Sequence, residues 1–149
     1  MQLQKDLPDH HDADLIIRLY DLRREPVMRA AREALTTEYW PKSAADAVAP
    51  TSRDHPLNPA FRQVTSYWEM VYGMARHGIV HADYLVETNG EGMFLFVRVE
   101  PYIAEIRAAT SPRAFQHTEW AAQETNVGRM MMENFRTRYS ARSAGTARK

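Results

Sequence analysis

Apolar residues recur along this chain at intervals of three and four, the spacing that lines one face of an α-helix. The first such stretch predicts a helix over residues 9–23, with Leu15, Ile16, Leu19, Tyr20 and Leu22 on its apolar face. Asp9 or Asp12 can cap it, and Arg23 and Arg24 follow where the helix dipole favours cations. Pro26 suits the first turn of a second helix, which extends to Tyr39 through Val27, Met28, Ala31 and Leu35. Residues 41–59 carry four prolines and read as a long surface loop, with a single helical turn after Ser43. Asn58 and Pro59 form a cap followed by a first-turn proline. The helix they open, residues 59–77, has the most regular pattern: Phe61, Val64, Trp68, Val71 and Ala75, widened by Tyr67, Met70 and Met74. Such a broad stripe predicts a central helix, and Gly78 ends it.

A short helix is predicted over residues 81–88, stopped by Asn89 and Gly90. Residues 93–99 are β-prone by composition, yet Leu95, Val99, Ile103 and Ile106 also share one helical face. Strand and helix are thus competing readings, and a helix kinked at Pro101 is the favoured one. Ser111 and Pro112 begin a last helical stretch that reaches Tyr139 through Phe115, Trp120, Val127, Met131 and Phe135, with a break near Thr125 and Asn126. The expected fold is all-α, an irregular bundle of five or six helices over residues 1–139. Residues 140–149 are small, polar and basic and read as a flexible tail.

Composition narrows the chemistry. The 149 residues include no cysteine, which removes thiolate nucleophiles and thiolate metal sites and fits a cytoplasmic protein. The longest apolar run, residues 93–97, falls far short of the ~20 residues that span a membrane. Acidic and basic residues balance at 19 each, which argues against a dedicated DNA binder. That balance also leaves no net repulsion to oppose self-association.

The segment from Tyr67 to Ala121 carries a further pattern. It reads Tyr67-Trp68-Glu69, Gly78-Ile79-Val80, Asp83-Tyr84-Leu85, Gly90, Val99-Glu100-Pro101-Tyr102-Ile103, Arg107, Phe115 and Glu119-Trp120-Ala121. In these residues the chain resembles a family of bacterial helical domains known only as a domain of unknown function. It departs from that pattern where Phe94 and Phe96 stand in place of an expected tryptophan. The resemblance implies a helical fold with the kink at Pro101. It implies no reaction, and it carries no catalytic residue to transfer.

Candidate sites are few. His77 and His81 are four apart with Asp83 nearby, a spacing that could hold a metal or serve acid–base work if one helix carried them. Gly78 between them favours reading the histidines as residues at two helix ends, so no metal and no cofactor are expected. His10, His11, Asp12 and Asp14 read as a solvated helix start in the same way. Glu69, Glu100 and Glu119 sit beside apolar positions, where a carboxylate is either poised for catalysis or paired with Arg107. The absence of a Walker loop, a zincin motif and a nucleophile elbow leaves two expectations. One is a non-enzymatic interaction domain that associates with itself through its methionine- and aromatic-rich surfaces. The other is a small-molecule-binding protein or hydrolytic enzyme using an inter-helical pocket, with Glu69, His77, His81 or Asp83 as its polar residues.

Overall fold

The computed structural model describes residues 5–146, and all regular structure among them is helical. The nine α-helical segments are α1 (His10–Arg24), α2 (Pro26–Glu38), α3 (Ala44–Val48), α4 (Asn58–Arg76), α5 (Ala82–Thr88), α6 (Glu91–Val99), α7 (Ile103–Ala109), α8 (Gln116–Glu124) and α9 (Asn126–Thr146). The expectation of five or six helices is therefore an undercount. Pro101 does not merely bend a helix: a 3-10 turn at Glu100–Tyr102 divides it into α6 and α7. Thr125, in an extended conformation, likewise separates α8 from α9.

Local sequence signals account for the best-marked boundaries. Asp9 accepts the backbone N–H groups of His11 and Asp12, while Asp12 reaches back to the N–H of Asp9, a reciprocal capping box. Glu25 accepts from the N–H of Met28 and Pro26 occupies the first turn of α2. α4 ends in a left-handed Gly78 (φ 75°), with Gly78 N–H bonded to Ala75 O and Ile79 N–H to Met74 O. This double closure is a Schellman motif, and a side chain at position 78 would be strained in it.

α4 is the central helix. It packs against α2, α5 and α8, while α9 lies across α5, α6 and α8. Trp68, Val71 and Tyr72 of α4 are fully buried with Leu35, Leu85, Met93, Phe96, Ile106 and Met132. Residues 93–99 are helix, since α6 is buried on nearly all sides and has no neighbouring strand to pair with. Of the three consecutive methionines, Met132 is buried, Met131 half-buried and Met130 exposed.

Several expectations give way to tertiary contacts. Asn58 does not cap α4; it lies inside the first turn and donates through Nδ2 to Pro50 O (2.9 Å). Residues 41–59 are not a loose loop: Ala47 and Pro50 are buried, and Tyr39 Oη donates to Ala47 O (2.7 Å). Gly90, which follows the C-cap of α5, also stands at the N-cap of α6, and Gly92 in the first turn of α6 packs against Tyr72. Tyr20, Leu22 and Val27 face solvent despite their helical spacing. Ser111 and Pro112 belong to a turn, and α8 begins only at Gln116. The helix expected to stop at Tyr139 continues through Thr146, because Ala141, Arg142 and Ala144 favour helix and no proline intervenes. Residues 147–149 of the expected tail lie outside the described residues.

The C-terminal half of α9 is fastened by aromatic and cationic groups. Trp40 stacks on Tyr139, and the guanidiniums of Arg98 and Arg142 lie 4.8 and 3.6 Å from its ring. Arg98 is buried and donates to Leu35 O (2.8 Å) and Tyr39 O (2.6 Å). It thereby satisfies carbonyls at the end of α2, where the dipole favours a cation. Burial lowers the Arg98 pKa to about 10.

Candidate functional site

Glu69 is the first sequence candidate, and its environment decides its role. α8 opens without a side-chain cap of its own, because Phe115 stands at the capping position in a left-handed conformation (φ 60°, ψ 19°). The orphan N–H groups are met from across the fold. Glu69 Oε2 accepts from His117 N (3.1 Å), and Oε1 accepts from Thr118 N (2.8 Å) and Thr118 Oγ1 (2.6 Å). A carboxylate on α4 thus caps a helix 48 residues away.

Asp83 plays the same part for α9. Its Oδ1 accepts from Val127 N (3.0 Å) and its Oδ2 from Asn126 Nδ2 (3.3 Å). His81 is the cap of α5, with Nδ1 accepting from Tyr84 N (3.1 Å). Its own N–H donates to Asp12 Oδ1 (3.2 Å). Asp12 is buried and also accepts Lys5 Nζ (2.9 Å). Burial pushes its carboxyl up, but the bonds from Lys5, Asp9 N–H and His81 N–H outweigh burial and leave the pKa below the ordinary aspartate value.

His77 stands at the end of α4, exposed, with its ring 5.8 Å from that of His117 in an edge-to-face arrangement. His77, His81 and Asp83 are therefore engaged with three different elements. No group of three or more His, Cys, Asp or Glu side chains among the described residues is arranged to hold a metal. His117 was not foreseen. Its ring lies against Gly73, where a Cβ would stand 3.1 Å from Cδ2, and its buried Nδ1 has no hydrogen-bond partner among the described residues. Burial is the main cause lowering its pKa below 6.5; Arg76, His77 and Arg113 add to it and Glu69 opposes it. Only a partner 48 residues away in α4 makes this histidine notable, so no local signal announces it.

The remaining Arg107 question is settled by geometry. Its guanidinium pairs with Glu119 (3.2 Å), and Nε donates to Ala114 O (3.0 Å). Glu100 pairs instead with Arg136 (2.5 Å).

Three adjoining cavities border α4. Leu22, Met28, Tyr67 and Met70 line a groove of about 420 Å³. It meets, at Met70, a second of about 430 Å³ lined by Met74, His77, Ile79 and His117. Next to them, sharing Ser66 with the first and Glu69 with the second, lies a cavity of about 390 Å³ between α4, α7 and the turn before α8, floored by Phe61, Ile106 and Phe115.

Residues 8–125 match the family model described as Domain of unknown function (DUF4760). The chain belongs to this family. No curated protein and no solved structure matches it. The DUF4760 match covers α1 to α8 and stops at the junction with α9. It extends well before Tyr67, where the sequence resemblance began. The residues that carried that resemblance hold the fold together. Tyr67 Oη donates to Leu19 O (2.7 Å), Trp68 is core, Glu69 and Asp83 cap distant helices, and Arg107 ties α7 to α8.

Proposed function

We propose that the protein is a non-enzymatic helical interaction domain that pairs with a second copy of itself along α4. The observation that carries this reading is the strip formed by the two grooves sharing Met70. Leu22, Met70 and Ile79 come from three different elements and are 51%, 48% and 60% exposed along it. Glu25 marks one end of the strip and His77 the other. A two-fold axis near its middle would set each end against its opposite, as a self-complementary interface requires. The zero net charge leaves this contact without long-range repulsion. The non-enzymatic part of the reading is supported by the engagement of Glu69, His81 and Asp83 with backbone N–H groups. We place the protein in the cytoplasm on its cysteine-free composition. No helix among the described residues is long and apolar enough to cross a membrane.

Light scattering over a range of micromolar concentrations tests the pairing. The expected result is a dimer that Met70→Glu converts to monomer without loss of helicity. A monomer throughout, or a dimer indifferent to both Met70→Glu and Leu22→Glu, would refute it.

A further inference from the structure

The cavity between α4 and α7 has a more apolar wall than the grooves beside it. Its floor is Phe61, Ile106 and Phe115, with Ala114 beside them, and its accessible wall is mainly carbon. The neutral polar groups around it are already engaged. Thr51, Thr65 and Thr110 donate their hydroxyls to Val48 O, Phe61 O and Ile106 O, and Ser66 donates to Gln63 O. Asn58 Nδ2 donates to Pro50 O, and Ser111 Oγ accepts Arg113 N–H. One acid, Glu69, borders the cavity, and both its oxygens are bound to the start of α8. That leaves Arg62 and Arg113, both exposed at the rim. Neither guanidinium has a hydrogen-bond or ion-pair partner among the described residues. Phe115, on the floor, holds a left-handed backbone that a bulky side chain rarely adopts, and strain of this kind gathers at binding sites.

We propose that this cavity binds a small amphiphilic anion, with an apolar body in the cavity and an oxyanion head held by Arg62 and Arg113. Two guanidiniums can present paired donors to a carboxylate or phosphate, whereas the carbon wall offers nothing to a polar body. At ~30 Å³ per non-hydrogen atom, the volume share of a water molecule, the cavity takes about a dozen such atoms. That is the size of a medium-chain carboxylate. The cavity lies within the range of known ligand sites. Ser66 and Glu69 border both the cavity and the grooves, but Arg62, Arg113 and the floor residues line neither groove, so the test variants leave Leu22, Met70 and Ile79 untouched.

Titration of the isotope-labelled full chain with decanoate, followed by amide NMR, tests the site. Decanol and inorganic phosphate serve as the uncharged and the bodiless probes. Decanoate is expected to shift the amides of Phe61, Thr65, Ile106 and Phe115 saturably, and more tightly than either control. Arg62→Ala with Arg113→Ala should raise the decanoate Kd about tenfold or more, the loss of roughly one charge-assisted contact. The same pair should leave decanol unaffected, and both side chains are exposed, so the fold should persist. Replacing decanoate by decyl phosphate distinguishes the two head groups. The proposal is overturned if no saturable shift occurs, if the shifts fall outside the cavity, if decanol or phosphate binds as tightly as decanoate, or if the double variant binds decanoate unchanged.

Discussion

Replacing Glu69 by alanine removes the acceptor of three hydrogen bonds at the start of α8. Thr118 is only 2% exposed, so water cannot readily take over its N–H. An unsatisfied buried donor costs about 1–3 kcal/mol, and loss of a helix cap about 1 kcal/mol. The carboxylate also loses its interaction with the helix dipole, about 0.5–1 kcal/mol. These contributions overlap, and a combined destabilisation of about 2–3 kcal/mol is expected. For a chain of this length that lowers Tm by about 5–10 °C. Glu69→Gln keeps one carbonyl oxygen and should cost about 1 kcal/mol. Thr118→Val removes only the hydroxyl contact, and in the Glu69→Ala background it should have little further effect, a coupling of about 1 kcal/mol in a double-mutant cycle. Urea unfolding of the parent and these four variants measures all of this. A Glu69→Ala variant within about 0.5 kcal/mol of the parent would refute the capping role. A carboxylate reserved for catalysis predicts that opposite result, since removing it should not destabilise the fold.

Further outcomes follow from other buried groups. A Cβ at Gly92 would lie 2.4 Å from Oη of Tyr72, whose ring is fully buried and stacked on Trp68, so Gly92→Ala should cost about 2–3 kcal/mol in thermal unfolding. An unchanged Tm would show that Tyr72 can move aside. Burial holds Tyr39, Tyr67, Tyr72 and Tyr139 above the ordinary phenol value, so the folded state keeps protons that the unfolded state releases above pH 10. Each tyrosine should then remove ~1.4 kcal/mol of stability per pH unit between its unfolded and folded values. Arg98, with its folded pKa lowered to about 10, acts in the opposite sense, one residue against four. Tyrosinate absorbance should rise cooperatively with alkaline unfolding; seven independent titrations in a folded protein would contradict this. Asp12, held below its ordinary value, contributes stability that is present at neutral pH and is lost as the pH falls below the ordinary aspartate range. Asp12→Asn should be less stable than the parent at pH 7 and nearly level with it in acid, as measured by denaturant midpoints.

The legible parts of the fold were those whose signals are local. Asp9 with Asp12, Pro26 and Gly78 fix boundaries within a few residues of themselves, and the stripe from Phe61 to Ala75 marked α4 as central. The start of α8 was misread because its cap comes from Glu69 and its Phe115 is left-handed, neither of which a proline or serine nearby announces. The burial of Arg98 depends on carbonyls of α2, 59 and 63 residues earlier. The candidate residues were legible by type, but not by role. Asp83 meets α9 across 44 residues and His81 meets Asp12 across 69, distances over which spacing carries no information. In the sequence Arg62 marks the wet side of the central helix and Arg113 follows Pro112; each is an ordinary exposed cation until the cavity that both border is seen.

The borrowed caps bear on how this chain can be cut and rearranged. An excised α8 would begin at a phenylalanine with nothing to receive its first N–H groups, and an excised α9 would lack Asp83. Neither is a transplantable module, because the signal that starts each helix is encoded in another. Helix starts and tertiary assembly should therefore form together, and loss of α4 should erase the beginning of α8 even though none of α8's own residues has changed.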